Sequence, residues 1–486
     1  MAGIAGVQGG NANALETMLA SLRYRGSHET WPSPTEYTRI GCCKLKSESI
    51  QQRQLNSHAN GKFAILDGHL YNATPRGFTD AALLLSLYEE FGLQFAERLD
   101  GDFSCALLDS GELVLARDAL GLKPLYYGYQ DGEFYFASEA KALTEVAQEI
   151  KEFPPGHVYT AKLGFQRFTP KVKTPDFETK EEAKKILVNL LAEALEKRMK
   201  DNAPEGVILS GGLDSSIIAC LAKEIQPDIK AFTVTVEGGE DLPHAQDVAR
   251  YLGIKHYVYT YGEEEIRKAL PEAIYYLESF EEDNVRGAVA HFLASELASQ
   301  YTGCVLSGEG ADEFLAGYEE QMRRAKDEEE LTRLIDELIA VAHNTGLQRL
   351  DRLMASHSLE FRAAFLDQKV TDFCRKLPTN WKVHGPERKG KWILREAFSE
   401  RLPQHIAFQT KRPFGSGAGS TQLLGLIAEK EISDEQFTKN CYTEEGLHLH
   451  SKEELLYYRI FKEKFKHPSL TQLVAVWDPF KPGFRI

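Results

Sequence analysis

Two short stretches of this 486-residue chain carry side chains that could do chemistry. The first is Ser210-Gly211-Gly212-Leu213-Asp214-Ser215-Ser216, which follows the apolar run 207–209 and leads into a segment of helical spacing. A buried strand, a glycine-rich turn and a helix N-terminus together make an anion cradle. Backbone N–H groups and the positive end of the helix dipole point at one spot, and glycine lets a phosphate come close. Ser210, Ser215 and Ser216 add hydroxyl donors, the last two reading as the start of the helix. Asp214 sets a carboxylate beside an expected polyanion, which makes sense with Mg²⁺ between them. The second stretch is Ser307-Gly308-Glu309-Gly310-Ala311-Asp312-Glu313, after the apolar run 304–306. Its three acids lie within five residues, the pattern of metal binding plus a base beside a nucleotide rather than a solvated acidic turn. A third stretch, Gly385 to Lys391, nearly matches the Walker phosphate loop. It fails because Trp392 stands where the hydroxyl belongs and no buried strand precedes it.

The elements that must position these residues alternate. Residues 231–236, 255–260 and 304–306 read as strands, and 243–251, 266–277 and 288–298 as helices. Such alternation predicts a parallel sheet with helices on both faces, whose ligands bind beyond the carboxyl ends of the strands. Both glycine loops fall at such ends. Residues 181–200 form an amphipathic helix leading into the first loop strand, with Leu187, Leu190, Leu191, Ala194 and Leu195 on one face. From 320 onward the chain is mostly helical.

The first 165 residues read differently. Strand-like runs at 62–66, 103–108, 112–116 and 133–137 are separated by Asp109-Ser110-Gly111 and Gln130-Asp131-Gly132, with helical spacing at 79–95. Hairpins with a few helices predict stacked antiparallel sheets. A polar connection at 166–182, holding Pro170 and Pro175, separates this domain, 1–165, from a second, 183–486.

Composition narrows the class. With 27% charged and 43% hydrophobic residues the chain is that of a soluble globular enzyme. A net charge of -15 argues against a nucleic-acid partner, which needs a basic face. Seven scattered cysteines without Cys-x-x-Cys spacing read as reduced thiols, so a cytoplasmic location is expected. No apolar run approaches a membrane span, and no signal peptide is seen.

Ser210–Ser216 resembles the pyrophosphate loop of ATP pyrophosphatases, which split ATP between the α- and β-phosphates. Together with Ser307–Glu313 and the segments 359–367, 391–396 and 411–417, it gives a chain that resembles the glutamine-type asparagine synthetases over nearly its whole length. The resemblance implies an α/β and α+β architecture: an N-terminal Ntn-hydrolase-like pair of stacked antiparallel sheets between helices, and a C-terminal parallel-sheet ATP pyrophosphatase domain. It implies ATP and Mg²⁺ as cofactors. Asp214 and Asp312 would hold the metal, and Val234, Ser307 and Gly308 would lie with the loop against ATP. Glu309 would be the base that deprotonates ammonia, and Lys411 would offset charge on the adenylated intermediate or the departing pyrophosphate. Glu360 and Arg362 would join the substrate site. Arg286 would hold a substrate α-carboxylate, although Asp283 sets a negative charge where a negative substrate would bind. That departure from the family's Thr-Thr-x-Arg leaves open an acid other than aspartate.

The N-terminal segments Met1 to Gly6, 23–26, 67–72, 117–126 and 136–142 resemble the class II glutamine amidotransferase domain. Its nucleophile, a cysteine at position 2, is replaced by Ala2. The family's Asn-Gly-Glu appears as Asp67-Gly68-His69, and a carboxylate cannot donate to an oxyanion. Lys44 stands where an arginine is expected, and only Asp80 is retained. These concurrent departures predict a lost glutaminase, with the domain kept as a structural partner or ammonia shield. The expected partners are a small-molecule carboxylate and ammonia or an amine. A homodimer and a separate ammonia-supplying protein stay open. Two alternatives stand beside asparagine synthesis: an amide or β-lactam-type synthetase for another acid and amine, and a non-catalytic nucleotide-binding scaffold. In the β-lactam synthetases the Glu309 position carries a tyrosine, so Glu309 favours intermolecular amide formation.

Overall fold

The computed structural model describes residues 2–9, 11–32, 37–44, 57–59, 61–72, 78–200 and 203–484. The chain forms two compact units. The first is Met1–Lys173 joined by Ala355–Glu360 and His467–Leu473, and the second is the remainder. A single cut in the sequence therefore does not describe the division, because two later segments return to the first unit.

The first unit holds two six-stranded antiparallel sheets. Ala2–Gln8 and Glu133–Ala137 are neighbours in one, while Lys62–Leu70, Gly101–Asp109 and Glu112–Arg117 are neighbours in the other. Alternating side chains explain the stacking: Ile4, Ile40 and Phe136 of one sheet share a core with Ile65, Ala106 and Leu115 of the other. Each such buried Ile, Leu or Phe side chain stabilises the fold by roughly 1.5–3 kcal/mol. The opposite face of the second sheet, with Leu66, Phe103 and Leu107, packs on Leu84 and Leu85 of helix Asp80–Phe91. That helix stops at Gly92, and the expected helical stretch continues as a tighter 3₁₀ turn, Gly92–Arg98.

The second unit is built on a five-stranded sheet in the order Lys255–Tyr261, Lys230–Val236, Gly206–Ile208, Cys304–Ser307, Glu360–Ala363. The first four strands run parallel. Both expected sheet types are thus present. From Gly206–Ile208 the chain goes to a neighbour on one side, and a later strand fills the other side. That reversal opens a crevice at the carboxyl ends of Gly206–Ile208 and Cys304–Ser307, where α/β sheets place ligands. Among the described residues no helix is long and apolar enough to cross a membrane. Six of the seven cysteines are buried.

Candidate active site

The first loop leaves strand Gly206–Ile208 and enters helix Leu213–Ile225. The helix begins two residues before the serines expected to open it, because Gly212 is its N-cap. Gly211 takes φ +79 with Ala245 N only 2.4 Å from where its Cβ would sit, so any side chain would collide. No side chain caps this helix, in contrast to helix Lys180–Arg198, where the Thr179 hydroxyl accepts from Glu182 N–H. The first-turn N–H groups are thus left for a ligand. Ser215 Oγ lies 3.1 Å from Ser210 Oγ; both Ser215 Oγ, at 3.2 Å, and the fully buried Ser216 Oγ, at 2.7 Å, donate to the Gly212 carbonyl.

The second loop meets the first directly. A Cβ on Gly308 would lie 2.8 Å from Ser215 N, so glycine is what lets the two loops touch. Gly310, at φ +102, then turns the chain into the short helix Ala311–Phe314, which carries Asp312 and Glu313. One cavity of about 90 Å³ is lined by Ser210, Gly212, Asp214, Ser215, Ser307, Gly308, Glu309, Asp312 and Lys411. Nine of the residues expected from sequence are therefore brought together. Gly211, Ser216 and Val234 do not line this cavity, and Val234 is buried in its strand.

At the centre stands a lysine that sequence reasoning gave no role. Lys391 Nζ is 2.5 Å from Asp214 Oδ2 and 2.6 Å from Asp312 Oδ1, and Lys411 Nζ is 2.8 Å from Asp312 Oδ2. Lys391 is 2% exposed. Burial raises the Asp214 carboxyl, and Lys391 only partly offsets this. Burial works the same way on Asp312, but Lys391 and Lys411 together outweigh it and hold that carboxyl well below the usual range. Asp214 Oδ1 is buried with no hydrogen-bond partner. Lys391 ends the rejected Walker-like stretch, so the signal that flagged it was lysine after glycine. Gly390 is there because a Cβ would sit 2.0 Å from the Ala316 carbonyl oxygen.

Glu309 faces a second residue that was missed. His291 Nε2 is 3.6 Å from Glu309 Oε1, while His291 Nδ1 donates to the Gly287 carbonyl at 3.0 Å along its own helix. The His291 ring rests on Phe414, with ring centres 4.4 Å apart. Burial lowers the His291 pKa. Burial would raise Glu309, but His291 and the Arg349 guanidinium reverse the sign and hold its carboxyl below the ordinary range. Glu309 is thus ionised and able to accept a proton at neutral pH.

A second cavity, about 490 Å³, shares Glu309, Asp312, Thr410, Lys411 and Phe414 with the first. Arg286 lines it, but not as a free cation. Its Nε and Nη2 make a two-pronged pair with Glu453 at 3.0 and 2.7 Å, and it also contacts Asp283 at 3.1 Å and Glu282 at 2.5 Å. Asp283 in turn is held by Lys481 at 2.7 Å and Trp477 Nε1 at 3.1 Å. The guanidinium is thus paired with three carboxylates, and the Asp283 carboxylate with a cation of its own. Glu360 and Arg362 are buried and line neither cavity. The Arg362 guanidinium donates to the Arg198 carbonyl, so the expectation that the pair holds substrate finds no support here.

In the first unit the side chains of Ala2 and Lys44 lie outside the described residues, although their backbones pair across neighbouring strands. Asp67 is fully buried. It accepts from Ser138 Oγ at 3.2 Å, Ser138 Oγ accepts from Ile4 N at 2.9 Å, and Arg25 Nη1 stands 3.6 Å from Asp67. Asp67 thereby braces the first strand instead of offering a donor. His69 Nδ1 is 3.3 Å from Asp80 Oδ2, which also accepts from Leu70 N at 3.1 Å.

A phosphate loop and an acidic loop meeting at the switch point of a parallel sheet, in a chain that also carries an amidotransferase-like domain, define a carbon–nitrogen ligase that uses ATP. The family model for asparagine synthase matches residues 187–340 and 327–477, and that for the glutamine amidotransferase domain matches 1–154. Asparagine synthetase [glutamine-hydrolyzing] 2 of Arabidopsis thaliana is 32% identical over 82% of this chain and 73% of its own length. Asparagine synthetase B [glutamine-hydrolyzing] of Escherichia coli (strain K12) is 32% identical over 82% of this chain and 76% of its own. A solved NMN synthetase from Francisella tularensis shows only a slight likeness, with TM-score 0.29 at 16% identity over 60% of this chain and 96% of that one. The chain belongs to the asparagine synthetase family.

Proposed function

We propose that the chain activates a carboxylic acid with ATP, giving an acyl-AMP and pyrophosphate, and converts the acyl group to an amide with ammonia or a small amine. The observation that carries this reading is the meeting of two cavities at Glu309, Asp312 and Lys411. Nucleotide over the phosphate loop and acid in the larger cavity would bring a carboxylate oxygen to the α-phosphorus beside Lys411. That oxygen attacks phosphorus, the bond to the bridging oxygen of the β-phosphate breaks, and pyrophosphate leaves with the electron pair. Ser210, Ser215 and the uncapped N–H groups of the helix would hold the phosphates, with Lys411 and Lys391 offsetting charge as it develops. The amine nitrogen then attacks the acyl carbon, Glu309 accepts its proton, and AMP departs.

Asp214 and Asp312 fit Mg²⁺, since both are hard oxygen donors and Asp214 Oδ1 is buried without a partner. Bound there, the ion would neutralise phosphate charge. Among the described residues no group of three or more His, Cys, Asp or Glu could hold a metal. This suits an ion that completes its shell on the nucleotide.

Aspartate is the default acid, on the strength of what the relatives are called. A second reading, an acid other than aspartate, is favoured by Arg286, whose charge is already spent on Glu453, Glu282 and Asp283. Ala2 and the buried Asp67 support a chain without its own glutaminase. Ammonia would then come from solution or from a separate ammonia-supplying protein in the cytoplasm, and a homodimer is compatible with this reading. The test is pyrophosphate release from ATP and Mg²⁺ with a panel of acids and amines. Release with one acid supports the ligase reading and names the substrate. No release with any acid would leave a nucleotide-binding scaffold.

A further inference from the structure

The residue facing Glu309 is arranged to take a proton. His291 sits on helix Glu282–Ser299, is 3% exposed, and lines the smaller cavity together with Glu309. One turn back on the same helix, the Gly287 carbonyl lies 3.0 Å from His291 Nδ1. A carbonyl can only accept, so Nδ1 carries the hydrogen and the neutral ring presents the lone pair of Nε2. That lone pair faces Glu309 Oε1 at 3.6 Å, beyond hydrogen-bond reach. With Glu309 ionised, two acceptors look at each other across a gap that a proton would close. Phe414 packs on the ring, with ring centres 4.4 Å apart.

The charges around the pair set its resting state. Burial and the Arg349 guanidinium keep the imidazole neutral, and Glu309 works against them. Arg349 and Lys411 draw Glu309 towards its carboxylate form, while Glu313 is a further acid that feels its charge. A carboxylate held below its ordinary range is a weak base by itself, so the proton it takes needs a second acceptor. We infer that His291 stores the proton that Glu309 removes from the attacking amine. The amine N–H bond breaks, its electron pair stays on nitrogen, and a Glu309 O–H bond forms. That O–H bond then breaks as the Nε2 lone pair takes the proton. The pair ends as carboxylate and imidazolium, with Nδ1–H on Gly287 and Nε2–H on Glu309. Once AMP has left, the proton returns through Glu309 to water. His291 touches no substrate atom and acts through Glu309, as a positioning residue for the proton. The inference rests on the proposed amide synthesis and adds where its proton goes.

The experiment is single-turnover rapid quench of the full-length protein with ATP, Mg²⁺, L-aspartate as the first acid of the panel, and saturating ammonia. Acyl-adenylate and amide are followed separately in H₂O, D₂O and their mixtures. In the parent, the rate of amide formation should curve below a straight line as deuterium replaces hydrogen, the mark of two protons moving together. His291→Gln can still donate to Glu309 and hold it in place, but cannot take a proton. It should form the adenylate, lose amide formation by about tenfold or more, and give a straight line. A straight line in the parent would overturn the inference and leave Glu309 as the base. Amide formation by His291→Gln at the parental rate would do the same, since an orienting hydrogen bond would then be all the histidine supplies. Absence of adenylate with every acid would instead overturn the ligase reading, and this inference with it.

Discussion

Lys391 and Asp214, 177 residues apart in sequence, form an ion pair of 2.5 Å at the floor of the phosphate site. The same ammonium reaches Asp312, so one buried cation holds two carboxylates that would otherwise repel. Lys391→Met leaves Asp214 without its cation, while Lys411 still holds Asp312; breaking a buried pair by removing one partner costs about 3–5 kcal/mol. The variant should melt lower than the parent. Pyrophosphate formation should fall on the order of 10²-fold, the usual loss of one preorganised charge-stabilising group. A parental pyrophosphate rate in a folded Lys391→Met protein would make Lys391 a purely structural residue.

Ala2→Cys should not create a glutaminase. Asp67 is locked to Ser138 and can accept but not donate, so a restored thiol would still lack its oxyanion partner. Glutamate release from glutamine by this variant should stay at the blank. Turnover clearly above it would show that a donor other than residue 67 serves the site.

Glu281 gives a stability signal that does not depend on catalysis. Burial, with Asp283 adding repulsion, pushes its carboxyl from an ordinary 4.5 up to about 8. The folded state therefore holds this proton more tightly than the unfolded one. The resulting stability is complete below about 4.5 and is lost as pH rises through about 8. The melting temperature should fall across that window. Glu281→Gln keeps the acceptor for Asn284 N–H and should flatten the fall, so the variant melts above the parent at pH 8. An unchanged slope would assign the titration to another group.

How much could be read in sequence follows from how local each feature is. Ser210–Ser216 and Ser307–Glu313 are contiguous, each set by one strand, one turn and one helix, so their positions at adjacent strand ends were legible. The helix start was misplaced because serine is a good cap, whereas here Gly212 caps and the serines sit inside the first turn. Lys391, His291 and Arg349 were not legible. Lys391 lies 177 residues from Asp214, and only tertiary packing brings it, His291 and Arg349 to the carboxylates of Asp214 and Glu309. Arg286 was visible, but its pairing was only half legible. Sequence shows a nearby Asp283, but not Glu453, which reaches it from 167 residues away.

The central claim, a two-step amide synthesis with Glu309 as the base, is tested most directly by Glu309→Gln in rapid-quench experiments that follow acyl-adenylate and amide separately. Adenylation removes no proton from the attacking carboxylate, whereas aminolysis needs one taken from nitrogen. General-base assistance is worth about 10²–10⁴-fold. The variant should form the adenylate and lose amide formation by a factor in that range under saturating ammonia. Amide formation at the parental rate would contradict the account, and so would a failure confined to adenylation, which would make Glu309 a ligand of nucleotide or substrate.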